Sequence, residues 1–283
     1  MELNFPQPGS IVVRAGAVRL RCLVWGRDGD PTALLVHGNG GHAHWWAPLV
    51  PALVPGWRLV APDLRGHGES DWAEPPAYGL EDFADDLTAV RRALAPGPVA
   101  LVGHSMGGRV ALDHAARQPA NVRGLALLDS RLGNVDPARA ARWRGRVAGQ
   151  RDGRGYAGRA AALAAFRFVP DESGVAPDIV ALLAEHAVRE RAPGEWTFRF
   201  DRAVLSLDGD GGGDLSELLA ALRCPVLIAA GATSLVLDEA ERASLAAARP
   251  DAAIEVFPGG HHFLVAKPVE TGAALRRFLD GLP

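Results

Sequence analysis

Residues 100–108 read ALVGHSMGG, an apolar run leading straight into a serine set among glycines. Gly103-His104-Ser105-Met106-Gly107 fits the pattern G-x-S-x-G, with Gly108 directly behind it. Glycine at this density marks backbone that turns sharply or is approached closely. On a strand-to-helix turn, the pattern lifts a serine hydroxyl clear of a sheet and presents it as a nucleophile. The N-terminus of the helix behind it favours negative charge developing nearby. A tight turn that happens to contain a hydroxyl is the plain alternative. A nucleophilic serine also needs a base, and the chain holds nine histidines.

The surrounding elements are those such a turn requires. TALLVHG (32–38), WRLVAPDLRG (57–66), PVALVGHS (98–105) and VRGLALLDS (122–130) are short continuous apolar runs. Strands buried on both faces read in this way. SIVVR and RLRCLVW predict an opening hairpin. Leu80, Phe83, Leu87, Val90 and Leu94 recur at helical spacing before a Pro-Gly stop, and SMGGRVALDHAARQP predicts a helix ended by Pro119. The alternation returns with CPVLIAAG, DEAERASLAAARP, AIEVFPGG and PVETGAALRRFLDGL. It implies an α/β domain, a mostly parallel, doubly wound sheet with helices on both faces.

From Arg131 to Leu222 the pattern changes. No convincing strand is read there, only Ala- and Arg-rich helical stretches broken by glycines. Residues 1–130 and 223–283 are therefore expected to form one core, and 131–222 a helical cap subdomain inserted after the strand that follows the Ser105 helix. The insertion is about 90 residues, a length a subdomain needs. Its arginines offer an attraction for acidic substrates, but helix faces paired with Glu172, Glu185 or Glu190 are the expected use. No internal repeat is evident.

A formal net charge of −3 over 283 residues does not suggest nucleic acid or an anionic membrane as partner. No apolar run approaches the roughly 18 residues a membrane span needs. The start, MELNFPQPGS, lacks the basic and apolar regions of a signal peptide. Cys22 and Cys224 are too few for a disulfide framework. A cytoplasmic protein acting on a small molecule is expected, without cofactor or metal. His42-x-His44 lacks a third ligand at metal spacing. DGDGGGD (208–214) fails a calcium loop, with Gly212 and Leu219 where that pattern needs ligands.

Taken in order, HGNGG (37–41), DLRGHGES (63–70), GHSMGG (103–108) and GGHHFLVAKP (259–268) resemble the α/β-hydrolase superfamily, in its helical-cap branch. The resemblance covers almost everything outside the insertion. It implies Ser105 as nucleophile, with the backbone N–H groups of Asn39 and Met106 as oxyanion hole. Relatives carry the base as Gly-His with proline seven residues beyond, which implies His261, seven before Pro268, and leaves His262 for the pocket or packing. The acid usually lies three residues past the glycine ending the strand CPVLIAAG, where this chain has Ser234. Some relatives place it one strand earlier, at the position of Asp129. Asp129 is the expected acid, with Asp238 the alternative, since Asp238 also reads as a helix N-cap. The loop at Ser234 would then be free to vary. Asp63 and Arg65 are expected to stabilise a turn, with His67 near the pocket. His104, Trp143, Phe166, Phe168 and Trp196 are expected pocket-wall residues.

The resemblance implies hydrolysis of carboxylic esters, lactones or thioesters through an acyl-enzyme. The same scaffold also carries C–C bond hydrolases, perhydrolases, cofactor-free oxygenases and ligand-binding modules with little turnover, which fold alone does not exclude. Oligomeric state is not legible.

Overall fold

The computed structural model describes residues 5–134, 155–209 and 213–283. Its centre is an eight-stranded sheet in the order β1-β2-β4-β3-β5-β6-β10-β11. The strands are β1 (Gly9–Ala15), β2 (Val18–Trp25), β3 (Thr32–Val36), β4 (Arg58–Pro62), β5 (Val99–His104), β6 (Val122–Leu128), β10 (Val226–Gly231) and β11 (Ala253–Phe257). β1–β2 and β2–β4 pair antiparallel, whereas β4, β3, β5, β6, β10 and β11 run parallel.

Period-two alternation divides the core into two halves. In β5, Val99 and Leu101 enter one apolar cluster with Phe83, Leu87 and Val110, while Ala100 and Val102 enter the other with Trp46, Leu49 and Leu275. Helices Leu80–Leu94 and Met106–Arg117 cover the first face, and helix Pro268–Asp280 and the 3-10 helix Ala43–Leu49 the second. β3 to β6 are buried almost throughout, which is why they read as unbroken apolar runs.

The segment between β6 and β10, expected to be mostly helical without a convincing strand, contains strands. It holds helix Pro177–Ala187 but also a small antiparallel sheet, in the order β7 (Tyr156–Ala157), β9 (Glu195–Phe198), β8 (Val188–Ala192). β8 reads VRERA and is mostly exposed, so burial imposes no apolar alternation on it. The Pro193-Gly194 turn between β8 and β9, with Gly194 at φ +77°, is a hairpin signal that the lack of alternation on either side obscures. Phe166, Phe168, Ile179 and Leu183 join the apolar cluster on the Trp46 face, so this segment packs beside the 3-10 helix. No described helix is long and apolar enough to cross a membrane.

Candidate active site

Ser105 follows β5 at φ 55°, ψ −122°, a conformation L side chains rarely adopt. Its N–H donates to Leu128 O at 2.9 Å and its carbonyl accepts from Gly108 N at 3.0 Å. The flanking glycines are forced by packing. A Cβ on Gly103 would overlap the Gly107 carbonyl, one on Gly107 the Val36 carbonyl, and one on Gly108 the Ser130 hydroxyl. Strand, turn and helix thus meet backbone to backbone.

Three residues distant in sequence converge here. His261 Nε2 lies 3.0 Å from Ser105 Oγ, and its Nδ1 lies 2.7 Å from Asp129 Oδ2. Asp129 directly follows β6 at φ 48°, in a region where Asp and Asn are the favoured non-glycine residues. Its N–H donates to Ala229 O at 2.7 Å, and its Oδ1 accepts from Gly231 N at 2.9 Å. The carboxylate is fully buried and His261 is 3% exposed. A carboxylate accepting from Nδ1–H leaves Nε2 to face the serine as a proton acceptor.

Asp238 is elsewhere employed, capping helix Glu239–Ala248 by accepting from Glu241 N at 3.1 Å. Ser234, in the loop expected to be relieved of a role, holds three hydrogen bonds. Its hydroxyl donates to Asp129 Oδ2 at 2.5 Å and accepts from Val236 N and Leu237 N at 3.0 and 3.2 Å. The position where the resemblance more often expects the acid thus touches Asp129.

The Asn39 loop is held from beneath. His37 Nδ1–H donates to Gly38 O at 2.8 Å, while Nε2 accepts from Leu64 N at 3.0 Å. Burial pushes the His37 pKa down to about 4, which keeps that acceptor available. Asp63 accepts from Ala43 N at 2.6 Å and Glu69 N at 2.9 Å, and Arg65 pairs with Asp86. His67 is fully buried, with Nδ1–H donating to Arg65 O at 2.9 Å and Nε2 3.4 Å from Asn39 Oδ1. Its ring therefore lies directly against the Asn39 side chain. Met106 is the first residue of its helix, where backbone N–H groups have no intrahelical acceptor.

A cleft runs between the Asn39 loop and the inserted segment, lined by Gly40, Gly41, His42, Phe166, Phe198 and Phe200 among others. Of the expected wall residues, Phe166 lines it. Trp196 does not: it lies in β9, beneath the Arg159 guanidinium at 5.8 Å. His104 is buried, donates from Nε2–H to His261 O at 3.0 Å, and is kept neutral by desolvation. Trp143 lies outside the described residues. Phe168 and Trp45 pack against the His262 ring, at 5.5 and 5.0 Å between centroids. Trp45, Phe198 and Phe200 carry no signal in the sequence beyond being aromatic.

The arginine pairings hold only in part: Glu185 pairs with Arg159, but Glu190 accepts from Gly194 N at 2.8 Å. Glu172 accepts from Gly260 N and His262 N. Among the described residues, His104, His261 and His262 alone come close enough for three donors to share a metal ion. Both His261 nitrogens already hold hydrogen bonds, so a metal there would displace the contact of His261 with Ser105 or with Asp129.

The family model for the alpha/beta hydrolase fold matches residues 31–268. The chain belongs to the α/β-hydrolase family. This α/β-hydrolase is 32% identical over 248 residues to Esterase Rv0045c of Mycobacterium tuberculosis, spanning 86% of this chain and 79% of that one. It is 29% identical over 259 residues to 2-(acetamidomethylene)succinate hydrolase of Mesorhizobium japonicum, spanning 90% of each. A crystal structure of E-2-(acetamidomethylene)succinate hydrolase superposes with a TM-score of 0.86 at 27% identity, covering 97% of this chain and all of the other.

Proposed function

We propose that this α/β-hydrolase is a serine hydrolase of carboxylic esters, lactones or thioesters that works through an acyl-enzyme. The observation that carries the proposal is the continuous line of contacts from Ser105 Oγ to His261 Nε2 at 3.0 Å and from His261 Nδ1 to Asp129 Oδ2 at 2.7 Å. Ser105 Oγ attacks the carbonyl carbon while His261 Nε2 takes the hydroxyl proton. Asp129 holds the imidazole in the required tautomer and stabilises the imidazolium. Backbone N–H groups of Asn39 and Met106 receive the oxyanion. Preorganised donors of this kind are worth about 10²–10³ in rate each. His261 then protonates the leaving alcohol or thiol, and water attacks the acyl-enzyme by the reverse sequence.

We infer further that residues 131–222 act as a cap that shapes the substrate cleft. The cleft that supports this is lined by Phe166, Phe198 and Phe200 on one side and by Gly40 and Gly41, just past Asn39, on the other. The esterase relationship supports an acyl substrate. Turnover of a panel of p-nitrophenyl esters and thioesters is the test. Wild-type turnover, abolished in Ser105→Ala with the fold kept, is expected; equal turnover in both would overturn it.

A further inference from the structure

His261 sits on the short loop between β11 and helix Phe263–Ala266, yet its ring must be placed within tenths of an ångström to bridge Ser105 and Asp129. From the core side, Thr233 N and Oγ both donate to Gly259 O at 3.0 Å, and a Cβ on Gly231 would overlap the Gly260 carbonyl. His104 Nε2–H grips the carbonyl of His261 itself at 3.0 Å. These contacts leave the N–H groups on either side of His261 still to be satisfied.

Both go to one side chain of the inserted segment. Glu172 Oε1 accepts from Gly260 N at 2.9 Å, and Oε2 accepts from His262 N at 2.8 Å. Hydrogen bonds to an ionised carboxylate are roughly twice as strong as neutral ones. Two at once, flanking His261, leave its peptide little freedom to rotate. Gly260 makes room for this grip, since a Cβ there would come 2.9 Å from Glu172 Oε2. Phe168, from the same segment, packs against the His262 ring at 5.5 Å. In an arginine-rich segment, Glu172 meets main-chain donors and no arginine among the described residues.

We propose that Glu172 is a positioning residue: it latches the inserted segment to the His261 loop, so that seating the segment and aligning the imidazole on Ser105 are one event. This rests on the serine-hydrolase reading of the site. Glu172→Ala is expected to lower kcat for p-nitrophenyl acetate about 10- to 100-fold with KM little changed, since a misplacement near 1 Å costs on that order. The inactivation rate with a fluorophosphonate falls by the same factor. The low-field proton resonance of His261 Nδ1–H broadens or shifts, which a purely structural role with unchanged site geometry would not produce. Glu172→Gln keeps the volume but offers one acceptor and one clashing donor, and it decides the matter should the alanine variant fail to fold. It is expected to be impaired, and Glu172→Asp to recover part of the loss. Wild-type kcat, inactivation rate and resonance in folded Glu172→Gln or Glu172→Ala would overturn the proposal. Lack of reaction of the wild type with either reagent would instead overturn the serine-hydrolase reading.

Discussion

The rim of the parallel sheet and the segment inserted between β6 and β10 are built under different constraints. At the rim, backbone meets backbone: Gly103, Gly107 and Gly231 each face a carbonyl too close to admit a side chain. In the insertion, Gly158, Gly174 and Gly194 take positive φ with nothing within 4 Å of where a Cβ would stand. The rim needs particular residues at particular spacings, whereas most of the insertion asks for turns and apolar contacts, with Glu172 the exception. The glycine motifs of the rim are therefore dense in signal, and the insertion is sparse in it.

The largest effect expected from breaking the rim is at Asp129. Asparagine keeps the left-handed backbone and the volume but loses the anionic acceptor for His261 Nδ1–H. Turnover is expected to fall toward 10⁴-fold, roughly what the same exchange costs a Ser-His-Asp protease, with thermal stability nearly retained. Steady-state kinetics beside a melting curve checks both halves.

Glycine substitutions test the contrast itself. Gly107→Ala forces a Cβ onto the Val36 carbonyl and is expected to cost about 1–3 kcal/mol or more in denaturant unfolding, as overpacking does. Gly174→Ala, at φ +75° in open space, meets only backbone strain of about 1–2 kcal/mol, with turnover unchanged. Equal losses at the two positions would remove the distinction.

Acid should weaken the boundary between the regions. His42 on the core donates from Nε2–H to Leu183 O at 3.0 Å in the insertion, and His44 stacks on His186. Burial lowers the pKa of His42 well below 6.5 and that of His44 to about 3. The unfolded chain takes up these protons near pH 6.5 and the folded one does not, so stability falls as pH drops below that value. Each fully buried histidine contributes about 1.4 kcal/mol per pH unit in that window. Melting temperatures from pH 7.5 to 4.5 should decline, with onset near 6.5.

The smallest effect expected is at Asp238. Asp238→Asn alters a helix cap and is expected to cost no more than about 1 kcal/mol, with near-normal turnover. Loss of activity there, with Asp129→Asn active, would exchange the roles of the two residues.

Much of the rim is legible in the sequence because steric necessity writes itself into short motifs. HGNGG, GHSMGG and GGHH each pair chemistry with glycines that the backbone demands. The role of Ser234 is not legible, because its contact with Asp129 joins two strand ends 105 residues apart in the chain, and no spacing rule links them. Glu172 reads as an arginine partner because charge balance in sequence does not reveal main-chain donors brought close by folding. β8 gives no strand signal because its exposed Arg and Glu side chains set no apolar period.

The claim that Ser105 is the activated nucleophile is tested most directly by covalent labelling. Folded protein is incubated with a fluorophosphonate, and the adduct is mapped by peptide mass spectrometry. A single adduct on Ser105 is expected, absent from Ser105→Ala and strongly slowed in Asp129→Asn. Folded wild-type protein that stays unlabelled, or that carries the adduct on another residue, would contradict it.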